Sequence, residues 1–226
     1  MTTVLSARLR TETADLHRRA ERSGIMQGML KGRMQRTAYV DLLRNFHVVY
    51  QAMEESLVRH AEHPHVKPFR SAALDRVPSL VADLVFLHGP DWATAMPASG
   101  AALEYGRRVR AATPELLVAH AYVRYLGDLS GGQMLKKVVG RGLGLAGTDG
   151  LAFYNFPGIP DPDDFKLRFR ASLDALALAP ELEDRVVTEA RDAFGLNVNL
   201  FEAVATQTPA SDAPAPPHGG YAPRCS

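Results

Sequence analysis

Apolar residues recur at helical spacing along most of this chain, and this periodicity is the feature that most limits its fold. In residues 39–57, and again in 181–201, apolar side chains return every three or four positions, which is typical of the buried face of an α-helix. No stretch shows the sustained alternation that predicts a β-strand. The sequence therefore predicts an all-α fold. The two faces comprise Tyr39, Leu42, Leu43, Phe46, Val49, Tyr50, Met53 and Leu57, and then Leu182, Val186, Ala190, Phe194, Asn197 and Phe201.

Proline, glycine and acidic residues set the expected limits of the other helices. Pro78 interrupts a helical pattern, whereas Pro114 suits the first turn of a long helix. Asp163 and Asp164 favour a helix start, because carboxylates are stabilised at a helix N-terminus. The expected elements are helices over residues 5–22, 39–57, 114–145, 163–179 and 181–201, two pieces on either side of Pro78 within 70–88, and loops over 91–100 and 147–162.

The 226 residues are expected to form one helical domain over 1–207 and a disordered tail over 208–226. The tail holds five of the 15 prolines and almost no large aliphatic residue, so it cannot bury enough surface to offset its ordering entropy. The single cysteine, Cys225, excludes an intramolecular disulfide and fits a cytoplasmic location. A net charge of +1 predicts no nucleic-acid partner and gives no reason to expect more than a monomer. No apolar run reaches the roughly 18 residues of a membrane anchor.

Three glycines interrupt the middle of the long predicted helix. Gly127, Gly131 and Gly132 lie in GDLSGGQ, although each interior glycine costs a helix roughly 1 kcal/mol relative to alanine. Gly127 and Gly131 share a face, and a face without side chains lets the backbone approach something flat and bulky, or lets the helix bend. Close packing against another helix is the alternative. Asp128 either serves this site or forms a simple ion pair with Arg124.

Two groups of histidines are candidate metal ligands. His17 has Glu21 four residues later, where a carboxylate can orient a metal-binding imidazole. A lone helical histidine is more often simply exposed or satisfied, so both interpretations stand at this point. His60, His63 and His65 lie in RHAEHPHVK, where a proline ends the helix. The polar surroundings favour a solvent-facing helix end over a metal site.

At GDLSGGQ, flanked by AYVRYL and MLKK, the sequence closely resembles the haem oxygenases. The resemblance extends to HRRAE near the N-terminus, to YQAMEES, and to GLAFYNFP, FKLRFR and AFGLNVNLFE in the C-terminal third. It covers about residues 4–205. The tail lacks the apolar anchor of the membrane-bound animal members, so the chain resembles the soluble bacterial type.

The resemblance implies a single multi-helix domain in which haem is sandwiched between a proximal helix and a glycine-bent distal helix. His17 would be the axial ligand of the iron, with Glu21 holding its ring. Gly127 and Gly131 would lie against the porphyrin face. The distal hydrogen-bond network that the family uses would here consist of Asp128, Tyr50, Arg124 and Asn197.

The resemblance also assigns the edge and the walls of the pocket. A cationic edge would bind the two haem propionates, and its pattern is similar to that of members that cut at the α-meso carbon. These residues are Arg10, Tyr122, Lys166 and Arg170, and the walls would be Met26, Phe153, Phe194 and Phe201.

Haem b would be both cofactor and substrate, cleaved with O2 and external electrons to biliverdin, CO and ferrous iron. The electron donor would be a ferredoxin or a flavin-dependent reductase, docking on basic residues such as Arg18, Arg19, Lys136 and Lys137. Two alternatives stay open at this point: a haem-storage protein using the same pocket, and a helical interaction module without a cofactor.

Overall fold

The computed structural model describes residues 4–207, and the predicted tail, with Cys225, lies outside them. Within the described residues the chain is helical and contains no β-strand, so the all-α prediction is confirmed. No helix of this range is long and apolar enough to cross a membrane. The α-helices are α1 (Leu5–Glu12), α2 (Ala14–Glu21), α3 (Gly24–Leu30), α4 (Arg36–Arg59), α5 (Val77–Leu87), α6 (Trp92–Ala95), α7 (Gly100–Ala111), α8 (Pro114–Ala121), α9 (Gly127–Leu143), α10 (Pro162–Asp174) and α11 (Pro180–Gln207).

The centre of the molecule is built from α4, α7, α8 and α11, which pack against one another. Every residue of the apolar face predicted for α4 is buried, and on α11 the predicted face is buried from Val186 onward. The short helices α2 and α3 pack against α11, and α3 also contacts α9. The N-terminal and distal segments are thereby brought to one side of the central bundle.

The N-terminal segment is two helices where the sequence predicts one. The break falls at Thr13, whose hydroxyl donates a hydrogen bond to the Leu9 carbonyl at 2.7 Å. Such a bond back to the preceding turn competes with the regular ladder and bends a helix. The backbone hydrogen bonds of the two helices meet at Thr13, whose N–H donates to the Leu9 carbonyl and whose carbonyl accepts from the His17 N–H.

Several boundaries differ from the sequence expectation. Pro78 lies in the first turn of α5 and so begins a helix instead of splitting one. The loop predicted around Trp92 contains the short helix α6. Helices α3 and α7 were not predicted at all, although Ser99 caps α7 by accepting from the Ala102 N–H, a sequence-visible signal.

The long helix that begins at Pro114 is continuous but not uniform. Residues Tyr122–Leu126 form a π-helical turn between α8 and α9. Gly127, Gly131 and Gly132 lie in regular α-helix after that turn, so the irregularity precedes the glycines. The helix ends at Leu143, where Gly144 adopts a positive φ of 64° as a left-handed C-terminal residue.

The loop between α9 and α10 is held by buried polar side chains from elsewhere in the chain. Asp83 on α5 accepts hydrogen bonds from the N–H groups of Ala152 and Phe153, both at 2.8 Å. The Arg76 guanidinium donates to the carbonyls of Phe153 and Asn155. These contacts fix a short 3-10 turn, Ala152–Tyr154, beside the distal helix.

Glu54 on α4 positions Arg76 in turn. One carboxylate oxygen accepts from the N–H groups of Arg76 and Val77, at 2.5 and 3.2 Å, and so satisfies donors at the start of α5. Burial raises the pKa of the Glu54 carboxyl to about 7, although both hydrogen bonds act to lower it. Folding therefore favours the protonated acid.

This raised pKa predicts a pH dependence of stability. Between pH 4.5 and about 7 the folded protein retains a proton at Glu54 that the unfolded chain releases, so stability should fall as pH rises through this window. Glu54→Gln keeps an acceptor oxygen without the charge. In urea unfolding, the free energy of unfolding of this variant should decline less between pH 4.5 and about 7. The difference should reach about 1.4 kcal/mol for each unit by which folding raises the Glu54 pKa. Glu104→Gln, at an exposed carboxylate, is the control. An unchanged slope in Glu54→Gln would contradict the assignment.

Candidate functional site

A cavity of about 370 Å³ lies between the N-terminal helices and the distal helix α9. Its walls are mainly apolar, with a few polar groups of α2, α9 and α11. Of the residues singled out from the sequence, those that line it are His17, Glu21, Met26, Arg124, Gly127, Asp128, Gly131, Phe153, Phe194, Asn197 and Phe201. The structure therefore brings together residues that are up to 184 positions apart in the sequence (His17 to Phe201).

The two glycines that share a helix face leave open space in this cavity. A Cβ atom added at Gly127 would meet no atom within 4 Å, and one added at Gly131 would meet only the Leu135 side chain, at 4.0 Å. Neither glycine is required by a neighbouring helix, so the close-packing alternative is wrong for this pair. Gly132 differs, because a Cβ there would touch Tyr154 at 3.6 Å. The open face exposes the α9 backbone to whatever occupies the cavity.

His17 is the imidazole of the cavity. Its side chain is 53% exposed and stands edge-on to Phe194, with ring centroids 5.8 Å apart. Glu21 lies on the same face of α2, but its carboxylate is 3.7 Å from Nδ1 of His17, too far for a hydrogen bond. In this arrangement Glu21 contributes a nearby negative charge and does not hold the ring through a hydrogen bond.

A buried polar network stands behind the glycine face. Arg124 donates to the Tyr50 hydroxyl from two nitrogens, at 3.0 and 2.9 Å, and to Oδ1 of Asn197 at 2.7 Å. Its Nη2 lies 3.3 Å from Oδ1 of Asp128, and the Tyr50 hydroxyl donates to the other carboxylate oxygen. Asn197 is itself anchored to the Ala193 carbonyl. Asp128 is therefore neither solvated nor in a simple pair: it is the cavity-facing end of a four-residue network.

The network keeps its charges in a site with little solvent. Burial raises the pKa of Asp128, while the Arg124 charge and the Tyr50 hydrogen bond act to lower it. Burial also raises the pKa of Tyr50. For Arg124 the lowering effect of burial is outweighed by Tyr50 and Asp128, so the pKa stays above its ordinary value. Asp128 can thus hold or accept a proton beside a permanently charged guanidinium.

The predicted cationic edge lies beside the cavity and does not line it. Tyr122 directly precedes the lining residue Val123. Burial raises the pKa of Tyr122, while Thr13 and the nearby charges of Arg170 and Arg10 act to lower it. These three side chains therefore sit within electrostatic reach of one another. Lys166 lies one turn from Arg170 on α10 and pairs with Asp163 at 2.7 Å. Tyr50 also stays outside the lining, behind Asp128.

Other parts of the lining were not singled out as site residues. Phe46 and Leu42 belong to the predicted face of α4, where wall and core residues look alike; the Arg124 guanidinium lies 4.4 Å from the Phe46 ring centre. Met29 comes from an unpredicted helix. The further lining residues are Ala20, Leu30, Val123, Ser130, Gly132, Met134, Leu135 and Tyr154.

Comparison with known proteins gives a consistent result. A family model described as heme oxygenase matches residues 3–203. The chain is 40% identical over 205 residues to heme oxygenase 1 of Nostoc sp., covering 89% of this chain and 86% of that protein. It is 41% identical over 203 residues to heme oxygenase 1 of Rattus norvegicus, covering 88% and 70%. The structure of heme oxygenase-1 from the cyanobacterium Synechocystis in complex with heme superposes with a TM-score of 0.87 at 38% identity, covering 91% and 94%.

The open glycine face predicts an unusual stability effect. Gly131→Ala should raise the free energy of unfolding by about 1 kcal/mol, because alanine favours the helix and its methyl group meets no obstacle. Gly142→Ala, in the same helix, is the matched control: its Cβ would lie 3.0 Å from the Gly32 carbonyl oxygen, so this variant should be destabilised. Urea denaturation of the two ligand-free variants tests both. Loss of stability in Gly131→Ala would show that the face is packed in solution.

Proposed function

Because the chain belongs to the heme oxygenase family, whose members are haem-degrading enzymes, we propose that it binds haem b in the cavity between α2 and α9 and cleaves it at the α-meso carbon. The products of the proposed reaction are biliverdin, CO and ferrous iron. The observation that carries the proposal is the convergence of one imidazole, His17, and a helix face without side chains, Gly127 and Gly131, on a single apolar cavity. Family membership sets aside the interaction module without a cofactor.

The donor set of the cavity fits haem. In the proposal His17 would hold the haem iron, because it is the imidazole that lines the cavity. Bound haem supplies an iron that activates O2 once an external donor has reduced it. The bare backbone at Gly127 and Gly131 would leave room beside α9 for a flat macrocycle and a small gas molecule. Met26, Phe153, Phe194 and Phe201 supply apolar walls that exclude bulk water.

We assign to Asp128 the transfer of protons on the α9 side of the cavity. It is the only carboxylate in the described lining of the cavity besides Glu21, and the network holds it through Tyr50 and Arg124. A buried carboxyl with a raised pKa can hold a proton and release it to a neighbouring oxygen. Asn197 fixes the guanidinium, and the fixed guanidinium keeps Asp128 in place.

The propionate edge would set the rotation of haem in its own plane. Arg10, Tyr122, Lys166 and Arg170 offer three cations and a hydroxyl that suit two carboxylates. Propionates held by these residues would determine which meso carbon lies beside the glycine face of α9. The α-meso preference of the proposal depends on this set.

Electrons would come from a ferredoxin or a flavin-dependent reductase, as part of the same proposal. Arg18, Arg19 and Lys137 are exposed, but Arg19 lies 3.7 Å from the Glu202 carboxylate, and Lys136 is hydrogen-bonded to Asn155 at 2.6 Å. Arg18 and Lys137 are therefore the better candidates to dock an acidic partner. The proposal also places the protein in the cytoplasm as a monomer.

The proposed function predicts a spectroscopic change. Ferric haem added to the purified protein should give a haem absorption band, and reductant with air should replace this band by that of biliverdin. His17→Ala should alter the haem band and abolish turnover, because the ligand is lost. A haem band that persists under reducing, aerobic conditions with a competent reductase would indicate a haem-storage protein instead.

Asp128→Ala separates binding from chemistry. The variant should retain the haem band but form biliverdin roughly 100-fold more slowly, the usual contribution of a positioned acid or base. Asp192→Ala, which removes an exposed carboxylate paired with Arg108, is the control. Full biliverdin yield from Asp128→Ala would show that the assigned role is wrong.

The cationic edge predicts the isomer that forms. Chromatography of the product should show mainly α-biliverdin, and Arg170→Ala should yield a mixture because haem loses one anchor. Arg168→Ala serves as control, since this exposed arginine on the same helix pairs with Asp164. Mainly β or δ product from the unmodified protein would contradict the proposed orientation.

A further inference from the structure

A second cluster of ligand-type side chains lies outside the haem cavity. His63 and His65 follow α4 in a turn, and Glu115 lies in the first turn of α8. One ligand atom from each residue can be chosen so that all three lie within 4.8 Å of one another. None of the three lines the cavity described above. The sequence favoured a solvent-facing helix end here because of its proline and its polar surroundings. It could not show that Glu115, 50 positions after His65, lies beside the two histidines.

The distances suit a tetrahedral metal ion. Oε1 of Glu115 lies 3.6 Å from Nε2 of His63 and 3.4 Å from Nδ1 of His65. Ligands bound to zinc at 2.0–2.2 Å with tetrahedral angles are separated by about 3.4 Å. The Nδ1 atom of His65 is shielded from solvent and makes no well-aligned hydrogen bond, despite its proximity to the carboxylate. Both imidazole nitrogens thus lie at ligand spacing from the same carboxylate oxygen.

The backbone of the turn that carries the two histidines is ordered without a metal. The segment is tied by hydrogen bonds from the His63 N–H to the His60 carbonyl and from the Val66 N–H to the His63 carbonyl, both at 2.9 Å. Val66 is fully buried and anchors the turn in the core. Such preorganisation reduces the entropy lost on binding a ligand. Binding through Nε2 of His63 would give up only one weak contact, the 3.3 Å bond from the His65 N–H to Nδ1.

We propose that His63, His65 and Glu115 form a binding site for a divalent transition-metal ion of the zinc type, with water completing the coordination. Two imidazoles and one carboxylate select borderline cations such as Zn2+ or Co2+ over Mg2+ and Ca2+, which prefer all-oxygen sites. The ion ties the segment after α4 to the start of α8. Tyr50 lies on α4, and Arg124 lies in the π-helical turn that follows α8. These two residues are the members of the distal network that bond directly to Asp128. The inference does not depend on haem.

The test is a Zn2+ titration of the full-length protein after removal of metals with EDTA, followed by calorimetry. One equivalent should bind, and the His63→Ala/His65→Ala double variant should lose that equivalent or bind it at least tenfold more weakly. Glu115→Gln should also weaken binding, through loss of the anionic ligand. His60→Ala, in the same turn, and His17→Ala, in the cavity, should keep the equivalent. Zinc binding that survives unchanged in the double variant would overturn the proposal, as would no binding by the unmodified protein.

Two further readouts distinguish a metal site from a structural ion-pair cluster. Co2+ should give the visible absorption of a nitrogen-coordinated ion, absent from the double variant. Zn2+ at a hundredfold excess over Kd should raise Tm by about 5–10 °C, and Mg2+ should not. Unfolding in EDTA shows whether the variants are folded, and Glu115→Gln provides the test should the double variant prove unstable. Equal stabilisation by Mg2+ and Zn2+ would contradict the assigned ion class.

Discussion

The distal half of the site depends on the hydrogen bonds that the buried guanidinium of Arg124 donates. This guanidinium joins α4 through Tyr50, α9 through Asp128 and α11 through Asn197, while its flat face lies against Phe46. A cation this far from water is tolerated only because its donors find fixed acceptors. The same bonds that satisfy its donors also link three helices. Stability of the bundle and the position of the cavity-facing carboxylate therefore have one physical cause.

Buried polar side chains also hold the loop that forms another wall of the cavity. Phe153 and Tyr154 belong to a loop that has almost no regular structure. Asp83 and Arg76 hold the backbone of Phe153, and the Tyr154 carbonyl accepts a hydrogen bond from Gln133 at 3.2 Å. Arg76 is buried, and burial lowers the pKa of its guanidinium, which several backbone carbonyls surround. Fixed polar groups thus give a loop the rigidity that a wall requires. A ligand entering the cavity meets a surface that is already formed.

Sequence patterns predicted the elements whose cause is local and missed those whose cause is distant. The apolar spacing of α4 and α11 sufficed to place both helices, and the interior glycines were recognisable because they conflict with helix propensity. Residue spacing made His17 and Asp128 candidates, the family resemblance assigned their roles, and the structure places both in the cavity lining. The open space at Gly127, the 3.7 Å gap between His17 and Glu21, and the approach of Glu115 to His65 depend on tertiary packing. No local pattern reports them.

The π-helical turn at Tyr122–Leu126 has a consequence for helical phase. The hydrogen bonds of a π-helical turn span one more residue than those of an α-helical turn. Each residue of an α-helix advances the direction of its side chain by about 100° around the helix axis. Residues 117–121 of α8 are buried in the bundle, whereas the glycine face of α9 opens to the cavity. The extra residue rotates one face relative to the other. Removing a single residue from this turn would turn the glycines away from the cavity, and the helix would gain regularity at the expense of its site.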